Sequence, residues 1–104
     1  MEVAVELELS KRMISAIQHM GRNQNKLVRF PGGYWAREGW HSWNGPCWGT
    51  PTVEGIVRRG FGEYTVWKDG RGGKFPIECG LTQRALDWLI ESAKLSELAQ
   101  PANQ

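Results

Sequence analysis

The stretch from Glu63 to Cys79 constrains this chain more than any other. Glu63 to Lys68 reads Glu-Tyr-Thr-Val-Trp-Lys and Lys74 to Cys79 reads Lys-Phe-Pro-Ile-Glu-Cys. Both runs are rich in β-branched and aromatic side chains, which pack well on a pleated, half-buried surface. Asp69-Gly70-Arg71-Gly72-Gly73 lies between them, and such a glycine-rich string between two strand-forming runs predicts a hairpin whose turn carries a cationic tip. Pro76 has no N–H to give to a ladder. It must therefore turn its nitrogen away from the partner strand or sit at a bulge, which marks a sheet edge.

Helix signals flank this hairpin on both sides. Residues 2 to 9 read Glu-Val-Ala-Val-Glu-Leu-Glu-Leu, where Val3, Val5, Leu7 and Leu9 alternate with acidic residues or alanine, the period of a half-buried strand, although glutamate and leucine also suit a helix. Ser10 reads as an N-cap, with Leu9 and Ile14 placed for a hydrophobic staple. Met13, Ile14, Ile17 and Met20 form one stripe, and Gly21 stands where a left-handed cap is usual, so a helix is expected from about residue 11 to residue 20. Lys26 to Phe30 reads as a short strand ended by Pro31-Gly32-Gly33. Residues 34 to 49 have no period but hold Trp35, Trp40, Trp43 and Trp48, four of the six tryptophans, which predicts a long loop packed by its own aromatics.

Thr50-Pro51 reads as an N-cap followed by proline in the first turn. Val53, Ile56 and Val57 supply the buried stripe of this second helix, Arg58 and Arg59 suit the dipole at its last turn, and Gly60 caps it. Thr82 caps a final helix with the stripe Leu86, Leu89, Ile90 and Ala93, with Leu81 and Leu86 placed for another staple. A chain of 104 residues has room for one hydrophobic core, so residues 1–96 are expected to form a single domain and 97–104 a frayed tail.

No apolar run approaches the ~20 residues of a membrane span, and the first residues lack the pattern of a secretory signal. A cytoplasmic location is therefore expected, with Cys47 and Cys79 reduced. Charge is unevenly distributed along the chain. Residues 21 to 84 carry ten basic residues against five acidic ones, whereas both ends are slightly acidic, so an anionic partner would meet the middle.

From Thr50 to Leu89 the order of signals resembles the winged-helix superfamily of DNA-binding proteins. The string Thr-Pro-Thr-Val-Glu-Gly-Ile-Val-Arg-Arg-Gly-Phe-Gly-Glu-Tyr is similar to that superfamily's third helix and its exit. Lys68 to Lys74 corresponds to the wing, and Leu81-Thr82 to the frequent start of the helix after it. Phe30-Pro31-Gly32-Gly33-Tyr34-Trp35 and the tryptophan segment stand where the superfamily places a second helix. A Pro-Gly-Gly-aromatic-Trp string ahead of such a helix also resembles small bacterial and phage-type proteins.

The resemblance implies an α+β, winged-helix-like fold of three helices, a small antiparallel sheet and a basic hairpin wing. It further implies a protein that binds double-stranded DNA, as transcriptional regulators do, without a cofactor. Thr50, Thr52, Glu54 and Arg58, outside the apolar stripe, would then face base edges, while Arg59, Lys68, Arg71 and Lys74 would contact phosphates.

Two further readings compete with it. The tryptophans beside Arg29 and Arg37 would either stack on single-stranded nucleic acid or form an interaction patch for a protein partner, as in a phage-type inhibitor or adaptor. Pairing of the Val3 to Leu9 strand with its own copy would give a homodimer. His19, His41, Cys47 and Cys79 show no metal-ligand spacing, and nothing places a base or an oxyanion hole beside a cysteine, so neither a metal site nor an enzyme is expected. Gly70-Arg71-Gly72-Gly73 lacks the following helix and lysine–hydroxyl pair of a phosphate-binding loop and reads as a turn.

Overall fold

The computed structural model of the chain describes residues 9–41, 43 and 45–99, the last five by their backbone alone. The strand expected over residues 2 to 9, and any dimer built on it, therefore lie outside the described residues except for Leu9. In chain order the elements are α1 (Lys11–Arg22), β1 (Lys26–Phe30), β2 (Tyr34–Ala36), β3 (Trp48–Gly49), α2 (Thr50–Arg58), β4 (Gly62–Gly70), β5 (Gly73–Leu81) and α3 (Gln83–Ala99). Among the described residues this is an α+β fold of three helices and one five-stranded antiparallel sheet, ordered β3-β2-β1-β5-β4.

Local capping chemistry sets most of the boundaries. Ser10 Oγ accepts the Met13 N–H at 3.1 Å, and Leu9 just before it is buried. The end of α1 differs from expectation. The helix passes through Gly21 and ends at Arg22 with Asn23 as cap, and the left-handed residues are Gln24 and Asn25, at φ 65° and 61°. Gly21 serves packing instead, because a Cβ there would lie 2.9 Å from Leu89 Cδ1 on α3. At the far end Thr82 Oγ1 accepts the Ala85 N–H at 3.3 Å and donates to Gly60 O at 2.6 Å, so one hydroxyl starts α3 and ties it to the exit of α2. Gly60 takes φ 82°, the left-handed cap expected of it.

The segment 34–49 is not wholly loop. Pro31-Gly32-Gly33 turns β1 back on itself, with both glycines at positive φ, so that Phe30 faces Tyr34 and Arg29 faces Trp35. Two residues of β3 then pair with β2, Trp48 opposite Trp35. Strands of two and three residues are too short to show a period, which is why the sequence pattern misses them. Trp35 and Trp48 are core residues, Trp40 is half-buried with its Nε1 donating to Gly45 O, and Trp43 is 80% exposed. The expectation of a packed tryptophan segment therefore holds for Trp35 and Trp48 and fails for Trp43.

Leu9, Ala16, Ile17, Met20, Leu27, Val53, Ile56, Phe61, Cys79 and Ala85 complete the core with the two tryptophans. From α1, Arg12 donates to Cys47 O at 3.0 Å with its guanidinium 5.9 Å from the Trp48 ring, which fastens β3 to the first helix. His19 is buried against the same ring at 5.0 Å. Proline at 76 sits beside an irregularity of the β4–β5 ladder, as expected, but the sheet edge it should mark is not there. β5 is not an edge, but its pairing with β1 stops at Glu78, so Pro76 sits where the hairpin has outrun the neighbour its nitrogen would face.

Glycine at 62 is required by close approach. A Cβ there would lie 2.9 Å from Cys79 Sγ and 3.0 Å from Ile56 Cγ2, both in the core. Gly62→Ala is expected to lower stability by about 1–3 kcal/mol through overpacking, read as a shifted urea midpoint at unchanged slope. His19 titrates below its ordinary value of 6.5, first because burial disfavours the imidazolium and then because Arg22 and Arg37 repel it. The folded chain therefore binds fewer protons at this site than the unfolded chain below pH 6.5. Stability is expected to be insensitive to His19 above that pH and to fall as pH drops through the ordinary value toward the lowered folded one. Comparing urea midpoints of wild type and His19→Gln across this pH range isolates that part of the slope.

Candidate nucleic-acid interface

The residues expected to meet DNA fall on two structural units. Thr50, Thr52, Glu54 and Arg58 belong to α2, with Arg59 as its cap, while Lys68, Arg71 and Lys74 belong to the β4–β5 hairpin. β4 starts shortly after the end of α2, so Arg58 and Arg59 lie toward its first residues, Lys68 stands seventh along it, and Arg71 and Lys74 lie at or just past its end. The arginines at the end of α2 thus stand at the base of the hairpin and the other cations toward its turn. No single cluster gathers all eight.

Thr50 has a structural task. It is the first residue of α2 rather than its cap, which is Gly49, and its hydroxyl donates to Gly33 O at 3.1 Å while accepting from Trp35 Nε1 at 3.1 Å. A hydroxyl committed at both ends has little left for a base edge. Arg59 likewise turns inward, its Nη1 donating to Gly55 O at 3.1 Å and its Nε buried. Gly55 is part of this packing, since a Cβ there would collide with the Met13 side chain of α1 and press on the Arg59 guanidinium. The glycine that weakens α2 as an isolated helix lets α1 and α2 approach.

Thr52, Glu54 and Arg58 remain on the accessible side of α2, with Thr52 half-buried. The electrostatics there are mixed. Burial raises the Tyr64 hydroxyl above its usual value, the Glu54 carboxylate raises it further, and Arg58 opposes the shift, so both charges of α2 act at the same place beside β4. Arg58 accordingly works next to an acid that offsets its field.

The hairpin is more favourable. Gly73, at φ 109°, closes the turn in a conformation that a side chain resists, and a Cβ placed on Gly72 would meet nothing within 4 Å, so Arg71 beside them projects from an open turn. Lys74 pairs with Asp69 at 3.1 Å, but both side chains are largely exposed, and such a pair yields readily to competing anions. A groove of about 340 Å³ at the base of this projection escapes sequence reasoning. Val28 and Phe30 of β1 and Phe75 and Ile77 of β5 line it together with Arg29 and Lys68, and the Arg29 guanidinium lies 5.1 Å from the Phe75 ring. Only the β1–β5 pairing brings these distant segments together, so no local pattern announces the groove.

Other residues weighed for chemistry are dispersed. Cys79 is a buried free thiol pushed up to about 12, chiefly by burial, which makes it a poor nucleophile, and Cys47 is a second free cysteine. Among the described residues no three histidine, cysteine or acidic side chains come together as metal ligands, and no helix is long and apolar enough to cross a membrane. Comparison of the chain with protein-family models, with curated proteins and with solved structures returns no match.

The relay through Thr50 makes its hydroxyl a determinant of stability. Thr50→Val leaves the Trp35 indole N–H and the Gly33 carbonyl without their shared partner and is expected to cost about 1–3 kcal/mol in urea unfolding.

Proposed function

We propose that this protein binds double-stranded DNA in the manner of a winged-helix protein, with the β4–β5 hairpin as its wing. The reading is carried by one observation: the hairpin runs on past its last pairing with β1 and ends in an exposed turn bearing Arg71, with Lys74 and Lys68 behind it. Backbone order supports it too. A helix, a strand, a later helix and then a hairpin whose returning strand pairs antiparallel with the first strand follow the order of a winged helix except for its second helix, in whose place β2 and β3 stand.

In this reading Arg71 and Lys74 neutralise phosphates, with Lys68 adding to the field, and displaced counterions supply most of the affinity. α2 offers Thr52, Glu54 and Arg58 toward the groove, a short and nearly neutral face that reads few bases. Binding is therefore dominated by the backbone of the duplex, with little discrimination among sequences. A role in transcription regulation would draw its selectivity from elsewhere in the complex.

A second reading has its own observation. Trp43 is 80% exposed and stacks on His41 at 5.0 Å with the rings 8° apart, which suits an aromatic anchor for a protein partner. Anisotropy titrations of a labelled duplex across a salt series decide between the two. Duplex affinity is expected to fall steeply with salt, and Arg71→Ala combined with Lys74→Ala should weaken it similarly for unrelated sequences while reducing the salt slope by about 2. Absence of binding at low salt would leave the Trp43 surface as the working site.

A further inference from the structure

β4 is the outermost strand of the sheet, and one whole side of its backbone has no partner strand among the described residues. It is nine residues long and carries Val66, 39% exposed, and Trp67, 50% exposed. A long edge with apolar residues invites pairing unless like charges or proline block it. This edge has no proline, and its charges are of both signs: Glu63, Lys68 and Asp69.

The hydrogen-bonding phase of the edge follows from the ladder. Leu81 gives its N–H to Asn25 O at 3.0 Å, on the side away from β4. Tyr64, opposite Cys79, therefore directs its own N–H and C=O to the open side, while Gly62, opposite Leu81 and of the same phase, is buried and leaves nothing there to pair with. Counting back from the turn, Gly70 bonds to Gly73 and Lys68 bonds inward, which leaves Asp69 and Trp67 facing out. The irregularities between Tyr64 and Trp67 shift the phase by one residue. The accessible outward groups are thus those of Tyr64, Trp67 and Asp69.

We propose that this edge pairs antiparallel with the same edge of a second copy, giving a symmetric dimer with one continuous sheet. One register matches this phase over residues 63–68, with Tyr64 opposite Trp67 of the second copy, twice by symmetry. The same register sets Glu63 opposite Lys68 of the second copy, twice by symmetry, and Thr65 opposite its Val66. Tyr64 and Trp67 already meet edge to face within one chain, at 5.6 Å, so the twofold axis gathers four aromatic rings. Shifting the copies by one residue one way would set Glu63 against Asp69, two like charges. Lys68 serves the interface in this dimer, while Arg71 and Lys74 stay on the turn.

Sedimentation velocity over a concentration series, on the full chain, tests the proposal. The expected species is twice 11.8 kDa, dissociating on dilution. Glu63→Lys alone and Lys68→Glu alone should each weaken self-association by about tenfold or more, since each sets like charges opposite one another at two places. The double variant E63K/K68E restores both pairs and should recover the wild-type dissociation constant. Trp67→Pro removes an outward N–H while sparing the inward bonds to β5 and is expected to be monomeric with unchanged circular dichroism. A wild-type chain that stays monomeric at millimolar concentration, or single reversals that leave the dimer untouched, or a double variant that is not restored, would each overturn the proposal.

Discussion

The hydrogen-bond relay from Trp35 through Thr50 to Gly33 is the joint on which the architecture turns. Trp35 is buried on β2, Thr50 opens α2, and Gly33 lies in the turn that creates β2. A buried indole N–H needs an acceptor, and here the acceptor is a hydroxyl that itself needs a carbonyl. Satisfying both sets the distance between the sheet and the start of α2. Trp48, the register partner of Trp35, extends the same layer toward α1, where Arg12 and His19 meet its ring. Two tryptophans on very short strands thus join all the elements before β4, although those strands contribute few hydrogen bonds of their own.

From this joint the rest of the packing follows. α2 can lie close to α1 only because Gly55 presents no side chain to Met13, and close to the hairpin only because Gly62 leaves room for Cys79 and Ile56. Thr82 then fastens α3 to the exit of α2, and Phe61 receives Trp88 edge to face at 5.9 Å with Arg84 over its ring at 4.9 Å. Each contact fixes one end of the β4–β5 hairpin, whose other end reaches beyond the last β1 pair.

How much of this is legible in the sequence depends on the range of the interaction. Ser10, Gly60 and Thr82 act on groups close to them or at the next helix end, so their types in series announce the helix boundaries, and the glycine string at 69–73 announces the hairpin. Gly21 and Thr50 mislead for the complementary reason. Both are residue types that favour caps, yet Gly21 is claimed by Leu89, far along the chain, and Thr50 by Trp35 and Gly33. The tryptophans behave likewise: composition indicates packing, but which ring is covered follows from β2–β3 pairing, too short to leave a period. Of the candidate interface, the cationic turn is readable, whereas the inward fate of Arg59 and the groove beside Arg29 exist only in three dimensions.

The distribution of charge takes its meaning from that geometry. A surplus of basic residues over 21–84 does not by itself make a basic face, because side chains in this stretch are used in different ways. Arg59 folds onto the α2 backbone, Lys26 bridges Glu38 and Glu78 at 3.2 and 3.6 Å, and Arg84 covers Phe61. Arg58 shares its surroundings with Glu54. The cations farthest from such obligations lie at the hairpin turn, where Arg71 stands on an open loop and the ion pair of Lys74 is solvated. A field concentrated at the end of a projecting hairpin attracts a polyanion chiefly through its regularly spaced backbone charges. Shape and charge therefore agree at the turn and disagree along α2, so the proposed duplex contact rests on the hairpin more than on the helix.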